Sequence, residues 1–132
     1  NVKVGSFSEN YDIYKKMQMC VGAYDNNRFL NDKNKIQLIK GDANKTIPEY
    51  IDVNQHLIVS LLYLDFDIYE PTVTALKTLL SRIPKGGIIA FDEVNNPQWP
   101  GETLALIEEM GISNCRLECF EYEPNISFIQ FD

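Results

Sequence analysis

Leu57-Ile58-Val59-Ser60-Leu61-Leu62-Tyr63-Leu64, followed at once by Asp65-Phe66-Asp67, is the stretch on which the fold turns. A half-exposed strand alternates apolar and polar residues, whereas this run is almost continuously apolar. It therefore reads as a strand covered by helices on both faces of a parallel sheet, and as the central strand. Downstream, Glu70-Pro71-Thr72 opens a helix that carries Val73, Leu76, Leu79, Leu80 and Ile83 on one stripe, and Pro84-Lys85-Gly86-Gly87 ends it. Ile88 to Phe91 reads as a second buried strand, Asp92 to Pro100 as a polar loop and Glu102 to Met110 as a helix. Two late strands, near Cys115 to Tyr122 and Ile126 to Phe131, flank the turn Glu123-Pro124-Asn125.

Upstream of the central run, Tyr11, Tyr14, Met17, Val21 and Tyr24 recur at helical steps, so a helix is expected from Ser8 to about Asn26 with Ser8 as its cap. Asn26 to Lys35 reads as a loop. Ile36 to Lys40 is a short β-branched strand that stops at Gly41-Asp42-Ala43, and Thr46-Ile47-Pro48-Glu49 places Pro48 in the first turn of a short helix running to about Asp52. Strand and helix alternate, which gives an α/β fold with a mostly parallel sheet and a C-terminal antiparallel hairpin, in one domain over residues 1–132.

Composition narrows the function. With 12 Lys and Arg against 19 Asp and Glu, the net charge of -7 opposes nucleic acid as the main partner, because tracking phosphates takes clustered cations. Cys20, Cys115 and Cys119 are odd in number and lack CxxC spacing, which argues against a disulfide framework or a zinc site and fits a cytoplasmic location. No apolar run approaches a membrane span. The chain starts at Asn1 rather than Met, so it is expected to be part of something longer.

In an open parallel sheet, ligands bind beyond the carboxyl ends of the strands. Those ends read Gly41-Asp42, Asp65-Phe66-Asp67 and Asp92-Glu93. Five carboxylates on one rim crowd negative charge, a cost that a cation or cationic ligand offsets. Any one of them taken singly is explained by the preference of acids for loops and helix N-termini. Hard oxygen donors with no Cys or His beside them suit Mg2+, Mn2+ or Ca2+. His56 precedes a strand, at the wrong end for this rim.

Leu64-Asp65-Phe66-Asp67-Ile68-Tyr69-Glu70-Pro71-Thr72, then Pro84-Lys85-Gly86-Gly87 and Phe91-Asp92-Glu93, in that order and spacing, resemble the macrocin-type sugar O-methyltransferases. These are metal-dependent S-adenosylmethionine enzymes of antibiotic deoxysugar tailoring and related bacterial pathways. Lys40-Gly41-Asp42-Ala43 and Lys45-Thr46-Ile47-Pro48 resemble the family's third-strand loop and following helix, and the likeness runs from about Ser6 to Phe131. The resemblance implies a partial Rossmann-like methyltransferase fold. It also implies S-adenosylmethionine and Mg2+ (or Mn2+) as cofactors and a small-molecule hydroxyl acceptor, a sugar or another vicinal diol.

By the same resemblance, Asp65, Asp92 and Glu93 are the metal ligands, and Asp67 is the general base for the acceptor hydroxyl. Asp42 accepts from the adenine amino group, with Gly41 and the Ala43 amide close by. Glu93 departs from the family's more usual second Asp. Trp99 and Glu102 lie just past the metal loop as candidate substrate contacts, although Trp99 equally serves to pack that loop, and Tyr11 and Tyr14 could line the substrate entrance.

The Gly-rich loop and the ribose-holding acid that follow the family's first two strands have no counterpart here. The chain therefore resembles the carboxyl-terminal part of the domain. It is expected to be inactive alone, and its unpaired edge at Ile36 to Lys40 favours association into a homo-oligomer. The alternatives are a non-catalytic methyltransferase remnant that binds a partner, and a receiver-like phospho-acceptor module. The receiver fold wants its acidic pair after the first strand and a Lys after the last, and this chain has neither.

Overall fold

A computed structural model describes residues 12–132. The chain divides into two compact units, one ending at Lys40 and the other spanning Gly41–Asp132.

In the first unit, α1 covers Ile13–Asn27, and the Asp12 side chain caps it by accepting from the Lys15 amide at 3.2 Å. The expected cap Ser8 and the candidate Tyr11 lie outside the described residues. The carboxylate of Asp25, buried at the end of α1, accepts from Arg28 Nε at 3.0 Å and from the Lys35 amide, pinning the returning chain to the helix. Ile36 to Lys40 is not a strand: no partner strand pairs with it among the described residues, and an extended segment without a ladder is only a loop. Lys40 instead lays its ammonium over the Tyr14 ring, 5.4 Å from the centroid.

The second unit holds α2 (Ala43–Val53), β1 (Leu61–Leu64), α3 (Tyr69–Leu79), β2 (Ile88–Phe91), α4 (Gly101–Met110), β3 (Glu118–Phe120) and β4 (Glu123–Gln130). The strand order is β1-β2-β4-β3. The β1–β2 pair is parallel, and β2–β4 and β3–β4 are antiparallel. The expected α/β class and closing hairpin are therefore present, in a mixed sheet.

Leu64 and Phe91 stand opposite each other in the ladder, as do Ile89 and Ile129. All four belong to one buried cluster with Ala75 and Leu76 of α3 and Ala105 and Leu106 of α4. This is the face that the helices cover.

The central-strand expectation for Leu57 to Leu64 needs correcting. Among the described residues only Leu61–Leu64 is paired, and there it is an edge strand whose second face is open: Leu61 and Tyr63 remain 60% and 47% exposed. An apolar run records an environment suited to burial on both faces, but it cannot supply the neighbour that would bury the second one. The short helix also begins earlier than its proline suggested. Asp42 caps α2 by accepting from the Asn44 amide at 3.0 Å, which moves Pro48 from the first turn into the helix interior. The late turn is Glu121-Tyr122, and Pro124 lies inside β4. There the pairing jumps from Cys119↔Ser127 to Phe120↔Glu123, leaving Pro124 to Ile126 as a bulge where a missing N–H breaks no ladder bond.

Candidate functional site

The loops that follow β1 and β2 lie side by side because their strands are parallel neighbours in register, Leu64 beside Phe91. The Asp92 amide donates to the Leu64 carbonyl at 3.0 Å, carrying the ladder one step beyond the strands. Asp65, Asp67, Asp92 and Glu93 therefore share one rim. The crowding is visible in the protonation of Asp67: burial first, then the charges of Asp65, Glu93 and Asp92, push its carboxyl above the ordinary 3.8. Asp67 also sits at φ +60, a left-handed backbone that Asp tolerates better than most residues.

Two other acids of the rim, Asp92 and Glu93, already have partners. Tyr63 donates its phenolic O–H to Asp92 Oδ1. That bond and the surrounding carboxylates push the Tyr63 phenol up to about 12, so it remains a donor at neutral pH. Glu93 Oε2 accepts from Asn96 Nδ2 at 2.6 Å. Asp65 is exposed. Among the described residues no three His, Cys, Asp or Glu side chains converge on a point where they would hold a metal. The donor set suits a hard divalent cation in kind, and Asp92 and Glu93 each keep one carboxylate oxygen outside the bonds to Tyr63 and Asn96.

Of the two expected substrate contacts, Trp99 lies in the expected loop and Glu102 is placed differently. Trp99 is half-buried, in the loop that leads into α4, where its amide donates to the Asn96 carbonyl. Glu102 has no exposed surface. Its Oε1 accepts from the amides of Phe66 (2.9 Å) and Asp67 (3.3 Å), and its Oε2 from the amide of Glu93 (3.1 Å). A side chain with both oxygens consumed by backbone and no surface cannot touch an acceptor. Burial raises the Glu102 carboxyl, and the three amide bonds oppose that rise. The expectation that Glu102 contacts substrate is therefore corrected: it lies just past the acidic loop as its sequence position indicates, but its carboxylate faces the backbone of both loops.

Gly41, Asp42 and Ala43 form the entry to α2. Gly41 adopts φ +153, and a Cβ there would lie 2.6 Å from Thr46 Cγ2, so the tight approach to α2 calls for glycine. One Asp42 oxygen serves as the helix cap. Tyr14 lines a cleft of about 410 Å³ within the first unit, together with Asp25, Asn34 and Gln37. His56 is exposed in the turn before β1, away from the rim.

No helix among the described residues is long and apolar enough to cross a membrane. The model of the macrocin O-methyltransferase (TylF) family matches residues 16–105. Among solved structures, the apo form of CalS11, a TDP-rhamnose 3'-O-methyltransferase of calicheamicin biosynthesis, superposes with a TM-score of 0.87 at 28% identity, over 95% of this chain and 55% of that one. A second CalS11 structure gives 0.90 at 29%, over 96% and 49%. The chain thus spans about half the length of these relatives. No curated protein sequence matches it.

Proposed function

The chain belongs to the macrocin O-methyltransferase (TylF) family, and on that premise we propose that it is part of one methyltransferase domain, the part that carries the acceptor side of the site. The reaction is transfer of the methyl group of S-adenosylmethionine to a hydroxyl of a sugar, with a deoxysugar on a nucleoside diphosphate as the acceptor class. The observation that carries the reading is Asp67: a half-buried carboxylate in a left-handed turn, raised by burial and by three neighbouring acids, and therefore more basic than an ordinary Asp.

Asp67 would accept the proton of the acceptor hydroxyl, whose oxygen takes the methyl group that S-adenosylmethionine supplies when bound. Asp65, Asp92 and Glu93 would hold Mg2+ or Mn2+, which when bound supplies Lewis-acid polarisation of that hydroxyl. Gly41, Asp42 and Ala43 would meet the adenine side of the donor through the Asp42 oxygen not used in capping and the Ala43 amide. The remaining polar anchors of the donor, and activity itself, belong to the longer protein.

A second reading, a non-catalytic relative that keeps the fold to bind a partner, draws on the separation of the three acidic side chains. Calorimetry with Mn2+ decides between the two. Binding by the unaltered chain, lost in Asp65→Ala and Asp92→Ala, supports the enzyme, and absence of binding supports the relative. In the longer enzyme, Asp67→Asn lowers turnover roughly 10²- to 10⁴-fold, with little change in metal affinity.

A further inference from the structure

The first turn of α4 reaches both acidic loops at once. Glu102 accepts from Phe66 and Asp67 in the loop after β1 and from Glu93 in the loop after β2. Next to it, Thr103 Oγ1 accepts from the Asn95 amide at 2.8 Å. Both loops contain a residue other than glycine with a left-handed backbone, Asp67 at φ +60 and Asn95 at φ +62. Such conformations persist only where surrounding contacts hold them. Gly101 makes the approach feasible: a Cβ there would lie 2.5 to 2.6 Å from backbone atoms of Asp67, Ile68 and Tyr69, so only glycine lets the helix start press against the loop.

We propose that Glu102 is the positioning residue of the acidic rim, its buried carboxylate clasping the two loops and fixing the spacing between Asp65 and Asp67 on one side and Asp92 and Glu93 on the other. It touches neither metal nor acceptor and acts through the three amides that it holds. The proposal rests on the reading of that rim as a metal and acceptor site. One carboxylate suits the task because its two oxygens point in different directions, and each can accept from a different loop.

The test uses the full chain, Mn2+ alone as the probe, and amide hydrogen exchange at Phe66, Asp67 and Glu93. Glu102→Gln keeps an acceptor for the first loop but turns an NH2 group toward the Glu93 amide. Exchange at Glu93 should quicken roughly tenfold while Phe66 and Asp67 change little, and Mn2+ affinity should fall by about the same factor, as expected when support behind a ligand is lost. Glu102→Ala should free all three amides and weaken Mn2+ further. Leu106→Ala, one turn along α4 in the core, controls for stability: it loosens the protein while removing no hydrogen bond to either loop and should leave Mn2+ affinity of the folded fraction unchanged. If Glu102→Ala does not fold, Glu102→Gln decides. Unaltered Mn2+ affinity in the Glu102 variants, with binding still lost in Asp65→Ala, overturns the clasp alone. No Mn2+ binding by the unaltered chain overturns the reading of the rim, and the clasp's role toward a metal with it.

Discussion

Replacing glycine by alanine at two helical positions should change stability in opposite directions. At Gly101 the added Cβ would sit 2.5 Å from Ile68 C and Tyr69 N and 2.6 Å from the Asp67 carbonyl oxygen. Carbon contacts settle near 3.5 Å, so one side must retreat by about 1 Å, and all three obstructing atoms are backbone. Overpacking of this kind costs about 1–3 kcal/mol. The opposing gain from alanine's helix propensity, at most about 1 kcal/mol, is smaller still at the first residue of a helix. The net loss is therefore about 1–2 kcal/mol. The same retreat would stretch the Glu102 bonds to Phe66 and Asp67, which already measure 2.9 and 3.3 Å.

Gly22 lies mid-way along α1 with nothing within 4 Å of a Cβ, so alanine there should gain up to about 1 kcal/mol. Trp99 is the chain's one tryptophan, two residues before Gly101, and its fluorescence follows urea unfolding of the second unit. With a slope of about 1–3 kcal/mol per molar urea, Gly101→Ala should lower that midpoint by roughly 1 M. Gly22→Ala should raise α1 helicity in far-ultraviolet dichroism without lowering the Trp99 midpoint. A Gly101→Ala midpoint equal to or above the parent's would refute the wedge of α4 against the Asp67 loop.

Three further outcomes are expected. Because the folded state raises Asp67 above its ordinary 3.8, it holds that proton to higher pH than the unfolded chain, and stability falls as pH rises from about 4 through the raised value. Asp67→Asn removes the fall, so its stability advantage in urea should be larger at pH 7 than at pH 4, and a gap that is constant or shrinks would contradict the assignment. Tyr63→Phe removes the phenol that donates to Asp92 and should tighten Mn2+ binding several-fold in calorimetry, whereas weaker binding would make Tyr63 a support of the site rather than a competitor for Asp92. Exposed Cys20 and Cys119 should react with a thiol reagent at pH 8 roughly tenfold faster than half-buried Cys115, whose thiol is pushed up by burial, and equal rates for all three would show that Cys115 is open to solvent.

Local chemistry was enough to place much of this protein. Ile88 to Phe91 is a strand as its apolar run indicates, α4 ends at Met110 as expected, and Glu70-Pro71 opens α3 because an acid and a proline suit the orphan donors of a first turn. The acids after β1 and β2 are legible for the same reason, since loops at the carboxyl ends of neighbouring parallel strands meet at one rim whatever else the chain does. Which residues pair with which depends on the whole fold. Leu57 to Leu64 has the composition of a central strand, yet β1 stands at an edge among the described residues, because a ladder requires a second strand and composition supplies only the suitability for one. Ile36 to Lys40 has β-branched character but no strand beside it among the described residues. Glu102 shows the division most sharply: its sequence neighbourhood suggests a substrate contact beside the acidic loop, whereas its partners are the amides of Phe66, Asp67 and Glu93, 36, 35 and 9 residues away. Hydrogen bonds between distant segments leave no periodic trace along the chain, so their geometry exists only once the helix has packed against both loops.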